Sequence, residues 1–170
     1  MKKSKLLFVA FLIALTSCSN EKVSNESSDI VGTWKMVDYL YSGVTVTEVQ
    51  SQTLSTDFTG EAYDMNNTIT FKENPNVMIS EGSFSLKVTS VVLGQTTVQN
   101  ISDLKSVSDG TWEMVNNELI TESNGEVGKM KIDELTENSL VLSIKRQEDL
   151  SQAGATIISD IDAIVYFEKM

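Results

Sequence analysis

The sequence predicts an all-β domain, an antiparallel up-and-down β-barrel of about eight strands, with a β-sandwich as the alternative. Three observations lead there. From Ile30 onward, apolar and polar residues alternate with a period of two in short runs. Pairs that tolerate positive φ, such as Asn116-Asn117 and Asn124-Gly125, separate several of these runs. No long stretch with helical spacing interrupts the pattern.

Along the chain, Trp34, Met36 and Leu40 are expected on one face of a first strand, and Ile69 with Phe71 on one face of a later one. Phe84, Leu86 and Val88 mark another strand, followed by the apolar run Val91-Val92-Leu93 and by Thr96 to Val98. Between them, Glu73-Asn74-Pro75-Asn76 holds the only proline and reads as a turn. The clearest unit runs from Gly110 to Asp133. Thr111 to Val115 meets Glu118 to Glu122 across the Asn pair, and that strand meets Val127 to Asp133 across Ser123 to Glu126, a three-stranded meander. Leu140, Leu142 and Ile144 then face one way, and Ala163, Val165 and Phe167 alternate in the final strand. Helix has room for a turn or two at most, in 49–58 or 150–159. Sequential hairpins favour closure, because a closed barrel leaves no edge strand.

Composition narrows the function. The chain has 170 residues and a net charge of −11, with 13 Lys+Arg against 24 Asp+Glu. Removing the first 17 residues, which hold three lysines and no acids, takes the charge to −14. Such a surface is a poor partner for nucleic acid, whose affinity for proteins comes largely from Lys and Arg releasing counterions. Histidine is absent, which removes the commonest general base and every Ser-His or Cys-His nucleophile pair. Asp57, Glu61 and Asp64, or Asp160 with Asp162, gather carboxylates without the spacing of a calcium loop, and read as solvated surface. Lys129 and Lys131 flank Met130 on one strand and are expected to face water. No enzyme activity, metal or cofactor is expected.

The N-terminus has its own logic. A basic start, Met1-Lys2-Lys3-Ser4-Lys5, precedes the unbroken apolar run Leu6 to Leu15, too short to span a bilayer but suited to a secretory signal. Leu15-Thr16-Ser17-Cys18 resembles the lipobox of bacterial lipoproteins. That resemblance implies a signal peptide at 1–17, cleavage before Cys18, a lipid on its thiol, and anchoring at the cell outer membrane facing periplasm or surface. Several acyl chains give stable attachment, at roughly 0.8 kcal/mol per buried methylene. Residues 18–29 continue as the lipidated Cys and a polar tether, leaving 30–170 as the barrel domain. Cys18 is the only cysteine, so the chain has no internal disulfide.

Two Gly-Thr-Trp triplets carry a second resemblance. Gly32-Thr33-Trp34 at the head of the first strand resembles the Gly-x-Trp motif of the lipocalins, in which the Gly lets the chain bend into the barrel and the Trp plugs its closed end. Together with Asp109-Gly110-Thr111-Trp112-Glu113 and Ile132-Asp133-Glu134-Leu135-Thr136, it makes residues 30–170 similar to the lipocalin-like lipoproteins of Bacteroidota. The pattern departs from the lipocalins in lacking a Thr-Asp-Tyr loop motif and an Arg in the last strand to lie across the Trp. Arg146, the only arginine, is the candidate for that place.

Two functions follow. In the first, the barrel binds a small hydrophobic or amphipathic molecule, and Met36, Phe71, Phe84, Met114 and Met130 line the cavity or, equally, fill it. In the second, a packed barrel of the cell envelope recognises a protein or glycan through long connections near 51–67 and 146–160. No motif speaks to oligomeric state.

Overall fold

The computed structural model describes residues 30–170; the expected signal at 1–17, Cys18 and the tether to residue 29 lie outside the described residues. Eleven strands follow one another: β1 (Gly32–Val49), β2 (Gln52–Tyr63), β3 (Thr68–Lys72), β4 (Val77–Glu81), β5 (Phe84–Val92), β6 (Gln95–Leu104), β7 (Gly110–Val115), β8 (Glu118–Ser123), β9 (Glu126–Leu135), β10 (Ser139–Asp149) and β11 (Thr156–Lys169). All the pairings are antiparallel, and β11 returns to β1, closing an eight-membered ring of β1, β3, β4, β7, β8, β9, β10 and β11.

The other three strands explain why the count exceeds eight. Along one edge of β1, Gly32 to Lys35 pair with β3, whereas Leu40 to Val49 pair with β2. The pairs β3–β4 and β2–β5, then β4–β7 and β5–β6, repeat this division. The segments β2/β3, β4/β5 and β6/β7 are therefore three bent arms, and the chain is an up-and-down meander of eight arms. At the end where β1 starts, the ring is closed. Toward the other end, the sheet β10–β11–β1–β2–β5–β6 stands above the shorter β8–β9 hairpin and leaves the wall open between β6 and β10.

The meander from β7 to β9 forms as its turns demand. Asn116 and Asn117 have φ of 56° and 69°, and Asn124 and Gly125 have 53° and 82°, the left-handed conformations of tight hairpins. The segments read as possible helix are not helical: 52–63 is β2, and 150–155 is a turn between β10 and β11 closed by the bridge Gln152↔Ala155. The expected long connections at 51–67 and 146–160 are likewise mostly strand. Polar alternation in these segments suits a sheet whose outer face meets water.

One expectation fails by a single residue. Register between β1 and β11 shifts between Met36 and Asp38, so Val37 is an extra residue in β1. A bulge of one residue sends every later side chain to the opposite face. Leu40 accordingly points outward, 48% exposed, and Tyr39 and Tyr41 take the inner face behind Trp34 and Met36.

The core fills the closed end. Trp34, Met36, Ile69, Phe71, Met78, Trp112, Leu119, Leu140, Leu142, Val165 and Phe167 form one buried cluster. Each such side chain contributes about 1.5–3 kcal/mol on leaving water. Higher up, Gly43 permits a close approach. A Cβ there would lie 2.2 Å from the Asp160 carbonyl oxygen and 2.3 Å from the Phe58 ring, so only glycine lets that ring lie on the β1 backbone.

Candidate functional site

Gly32, Trp34 and the last strand meet at the closed end. Trp34 is 0% exposed, and its indole Nε1 donates to the Ile30 carbonyl at 2.7 Å, which ties the start of the described chain across the barrel end. The Lys169 ammonium lies 4.9 Å from the Trp34 ring centroid, a cation–π contact. Lys169 of β11, rather than Arg146, is thus the cation across the Trp. Gly32 has φ of 132°, where side chains are rarely found, and a Cβ there would sit 2.9 Å from the Lys169 Cε. Trp112, from the second triplet, donates from Nε1 to the Lys72 carbonyl at 3.0 Å and meets Phe71 edge-on at 5.6 Å.

Where the three arms bend, Asn67 forms a buried polar hub. Its Nδ2 donates to Ser80 Oγ at 3.1 Å and to the Glu81 carbonyl at 2.9 Å, and its Oδ1 accepts from the Ser106 backbone N at 3.1 Å and from the Ser106 hydroxyl. Its own carbonyl accepts from Met36 N at 3.0 Å. One side chain therefore pins β2/β3, β4/β5 and β6/β7 at their bends, with every polar atom of the amide engaged. Lys105 Nζ on the Ser80 carbonyl at 2.7 Å and Asp109 on Ser80 N at 2.7 Å reinforce the joint.

Above the hub, the inner face carries a row of aromatic rings. Phe84 and Tyr39 are 5.2 Å apart by ring centroids, Tyr39 and Tyr41 stack at 6.1 Å, and Tyr41 and Phe58 are 5.3 Å apart. Register places Ala163 opposite Tyr41, and Ile144 and Arg146 on β10 opposite Ala163 and Ile161, all on this face. Burial raises the pKa of both tyrosines; Tyr41 raises that of Tyr39 further, Glu148 adds to that of Tyr41, and the Arg146 charge opposes the shift at each. Arg146 also pairs with Glu148 at 2.8 Å. An aromatic wall with one guanidinium beside it can take up a molecule that has an apolar body and a polar end.

The wall between β9 and β10 is incompletely paired. Pairing of β9 with β10 stops at Ser143↔Lys131, although β9 continues up to Glu126 and β10 to Asp149. An outer cleft of about 560 Å³, lined by Lys131, Asp133, Ser143 and Asp162, and an inner cleft of about 480 Å³, lined by Ser106, Thr121, Gly128 and Arg146, flank the gap. Thr121 and Gly128 lie on the barrel's inner face because the same hairpin face carries the buried pair Leu119 and Met130. Both clefts are bordered by Lys129, Met130, Ile144 and Lys145, so these four side chains frame the gap, a window in the hydrogen-bond ladder of the wall.

Met36, Phe71 and Phe84 are buried in the core, and Met114 packs against it half-buried. Met130 is buried yet borders the window. Lys129 and Lys131 face outward. Asp162 pairs with Lys145 at 3.1 Å, Asp160 accepts from Gln147 at 2.8 Å, and Glu61 pairs with Lys87 at 3.3 Å. Sequence reasoning missed Asn67, Tyr39 and Tyr41. The alternation Tyr39-x-Tyr41 was visible, but its face depended on the bulge.

Among known proteins, residues 30–142 match the family model of the lipocalin-like domain. No curated protein matches the chain. The match takes in the Gly32-Thr33-Trp34 start, the bent arms and the meander, and stops two residues before the window's Ile144, while β11 completes the ring beyond it. On the matched residues and the closed eight-armed barrel together, this chain belongs to the lipocalin-like domain family.

Proposed function

We propose that this protein binds a small amphipathic molecule in the open half of its barrel while a lipid on Cys18 holds it to the outer membrane. The observation that carries the reading is the division of the interior. The closed end is packed around Trp34, whereas the Phe84, Tyr39, Tyr41 and Phe58 row above it has its two tyrosines within reach of the Arg146 charge, and Arg146 in turn lines an inner cleft of about 480 Å³. That volume falls within the roughly 300–1,000 Å³ of small-molecule sites. Burial against the rings supplies affinity at about 25 cal/mol per Å² of apolar surface, and the guanidinium sets orientation. Met130 borders this space, while Met36, Phe71 and Phe84 lie in the core and Met114 packs against it.

Native mass spectrometry of the purified protein, before and after solvent extraction, tests the binding. A stoichiometric extra mass that extraction removes and a lipid extract restores supports it; no extra mass and no uptake rejects it. For the anchor, Cys18→Ser is expected to lose the acyl mass and to leave the membrane fraction. Unchanged mass and partitioning reject the lipoprotein reading.

One feature favours the second reading, an interaction protein. Among the described residues β6 pairs with β5 alone, which leaves a ten-residue edge, Gln95 to Leu104, open to a partner strand. A partner binding there is lost on Val98→Pro with the inner cleft untouched.

A further inference from the structure

Val88 to Ser102 contains no Asp, Glu, Lys or Arg, the longest such run in residues 30–170 of a chain whose net charge is −11. The run makes most of the β5–β6 hairpin, which turns at Leu93 and Gly94 with φ of 50° and 78°. A two-residue loop of this type makes Val92↔Gln95 a hydrogen-bonded pair, and such pairs recur at every second residue, at Ser90↔Thr97, Val88↔Gln99 and Leu86↔Ile101. The backbone N–H and C=O of Thr97, Gln99 and Ile101 therefore aim at β5. Those of Thr96, Val98 and Asn100 aim out of the sheet, where no strand among the described residues meets them. Past Ile101 the register slips opposite Phe84 and Leu86, and the regular edge ends. Val98 is thus the centre of that edge. Its side chain is 52% exposed on the outer face, since the inner face belongs to buried Leu86 and its partner Ile101.

Open edges are ordinarily guarded by charge, above all Lys, or by Pro, and the regular stretch of this one carries neither. Two copies of an acidic protein repel each other wherever their surfaces carry charge, so a contact between them belongs where charge is missing. We propose that two copies of this chain pair antiparallel through β6, with Val98 opposite Val98 of the partner subunit and Thr96 opposite Asn100 of the partner subunit. In this register every outward N–H and C=O of Thr96, Val98 and Asn100 finds its counterpart. Asp103, the one charged residue of β6, lies beyond the paired stretch. The contact is isologous, as a twofold axis requires, and joins the two open-half sheets into one. It names the occupant of the edge in the interaction reading above and rests on that edge being open.

The test is sedimentation of the full chain in detergent with reductant, from about 1 μM to about 1 mM, a range suited to the weak association of a small interface. Dimers are expected, and they form more readily at high salt, which screens the repulsion between two acidic bodies. Residue-resolved amide exchange is expected to show Thr97 and Gln99 protected at every concentration, and Thr96, Val98 and Asn100 protected only in the dimer. Val98→Pro removes one outward N–H and spares the ladder to β5. Val98→Glu, at an exposed side chain, sets two acids face to face on the twofold axis. Each variant is expected to weaken association at least about tenfold, the Glu variant less so at high salt. A dimer that both variants leave intact, or that salt weakens, is held elsewhere and overturns the proposal. If the chain stays monomeric while the three outward amides exchange freely, the second copy is overturned and the edge stays open to another partner. If those amides are protected in the dilute monomer, the edge is covered within the chain, and the interaction reading falls together with this one.

Discussion

The Lys169 ammonium rests 4.9 Å from the centre of the Trp34 ring, so the last strand places a cation over the plug that the first strand supplies. Gly32 permits this arrangement in two ways. Its φ of 132° turns the chain into β1, and its missing Cβ leaves room for the lysine stem. The stem is flexible and can swing aside, so the backbone is the harder constraint. Gly32→Ala is expected to cost about 1–3 kcal/mol, and most of that cost persists in the Lys169→Ala background. Urea unfolding of the four proteins of the cycle measures both; full rescue by Lys169→Ala would mean that side-chain crowding alone is at stake. Trp34→Ala is expected to cost about 3–5 kcal/mol. A loss under about 1 kcal/mol would show that the ring carries little of the core.

Asn67 holds three bent arms with one amide. Its replacement strands buried partners on Ser80, Glu81 and Ser106, and each unsatisfied group costs about 1–3 kcal/mol. Asn67→Leu is therefore expected to lose at least about 2 kcal/mol in denaturant unfolding and to speed amide exchange at Met36 and Ser106. Wild-type exchange there would mean that the bends are held by other contacts.

Gly43→Ala brings a Cβ to within 2.2 Å of the Asp160 carbonyl and 2.3 Å of Phe58. The carbonyl belongs to the paired β11 strand and cannot rotate away. A loss of about 2–3 kcal/mol is expected, and Phe58→Ala in the same chain does not restore it. Recovery in that double variant, read from thermal melts, would place the whole conflict on the ring.

Burial raises the pKa of Tyr39 and Tyr41 above the ordinary tyrosine value of about 10. The folded state then holds these protons more tightly than the unfolded chain. Their contribution to stability is complete below the unfolded pKa and is lost as pH rises through the folded one. Phenolate absorbance at high pH is expected to show a late phase that Tyr39→Phe and Tyr41→Phe each diminish. A bound amphiphile, by drying the row, delays that phase further; a titration indifferent to both substitutions would put the rings in water.

Period-two alternation, the Asn116-Asn117 and Asn124-Gly125 turns, the meander they join and the Gly32-Thr33-Trp34 start were all readable from residues near one another in the chain. Each follows from local physics: side chains alternate along any strand, and tight hairpins need residues that accept positive φ. The closed-end core followed too, since Trp34, Phe71, Leu140, Leu142 and Phe167 lie in phase on their strands. What the sequence could not decide was settled by pairing between distant segments. The extra residue at Val37 exists only in the register of β1 against β11, and it alone turned Tyr39 inward and Leu40 outward. The hub at Asn67 needed Ser80, Glu81 and Ser106 brought to one point by three arms. The window likewise exists only in the pairing of two strands, since β9 and β10 both run on past Ser143↔Lys131 without bonding to each other.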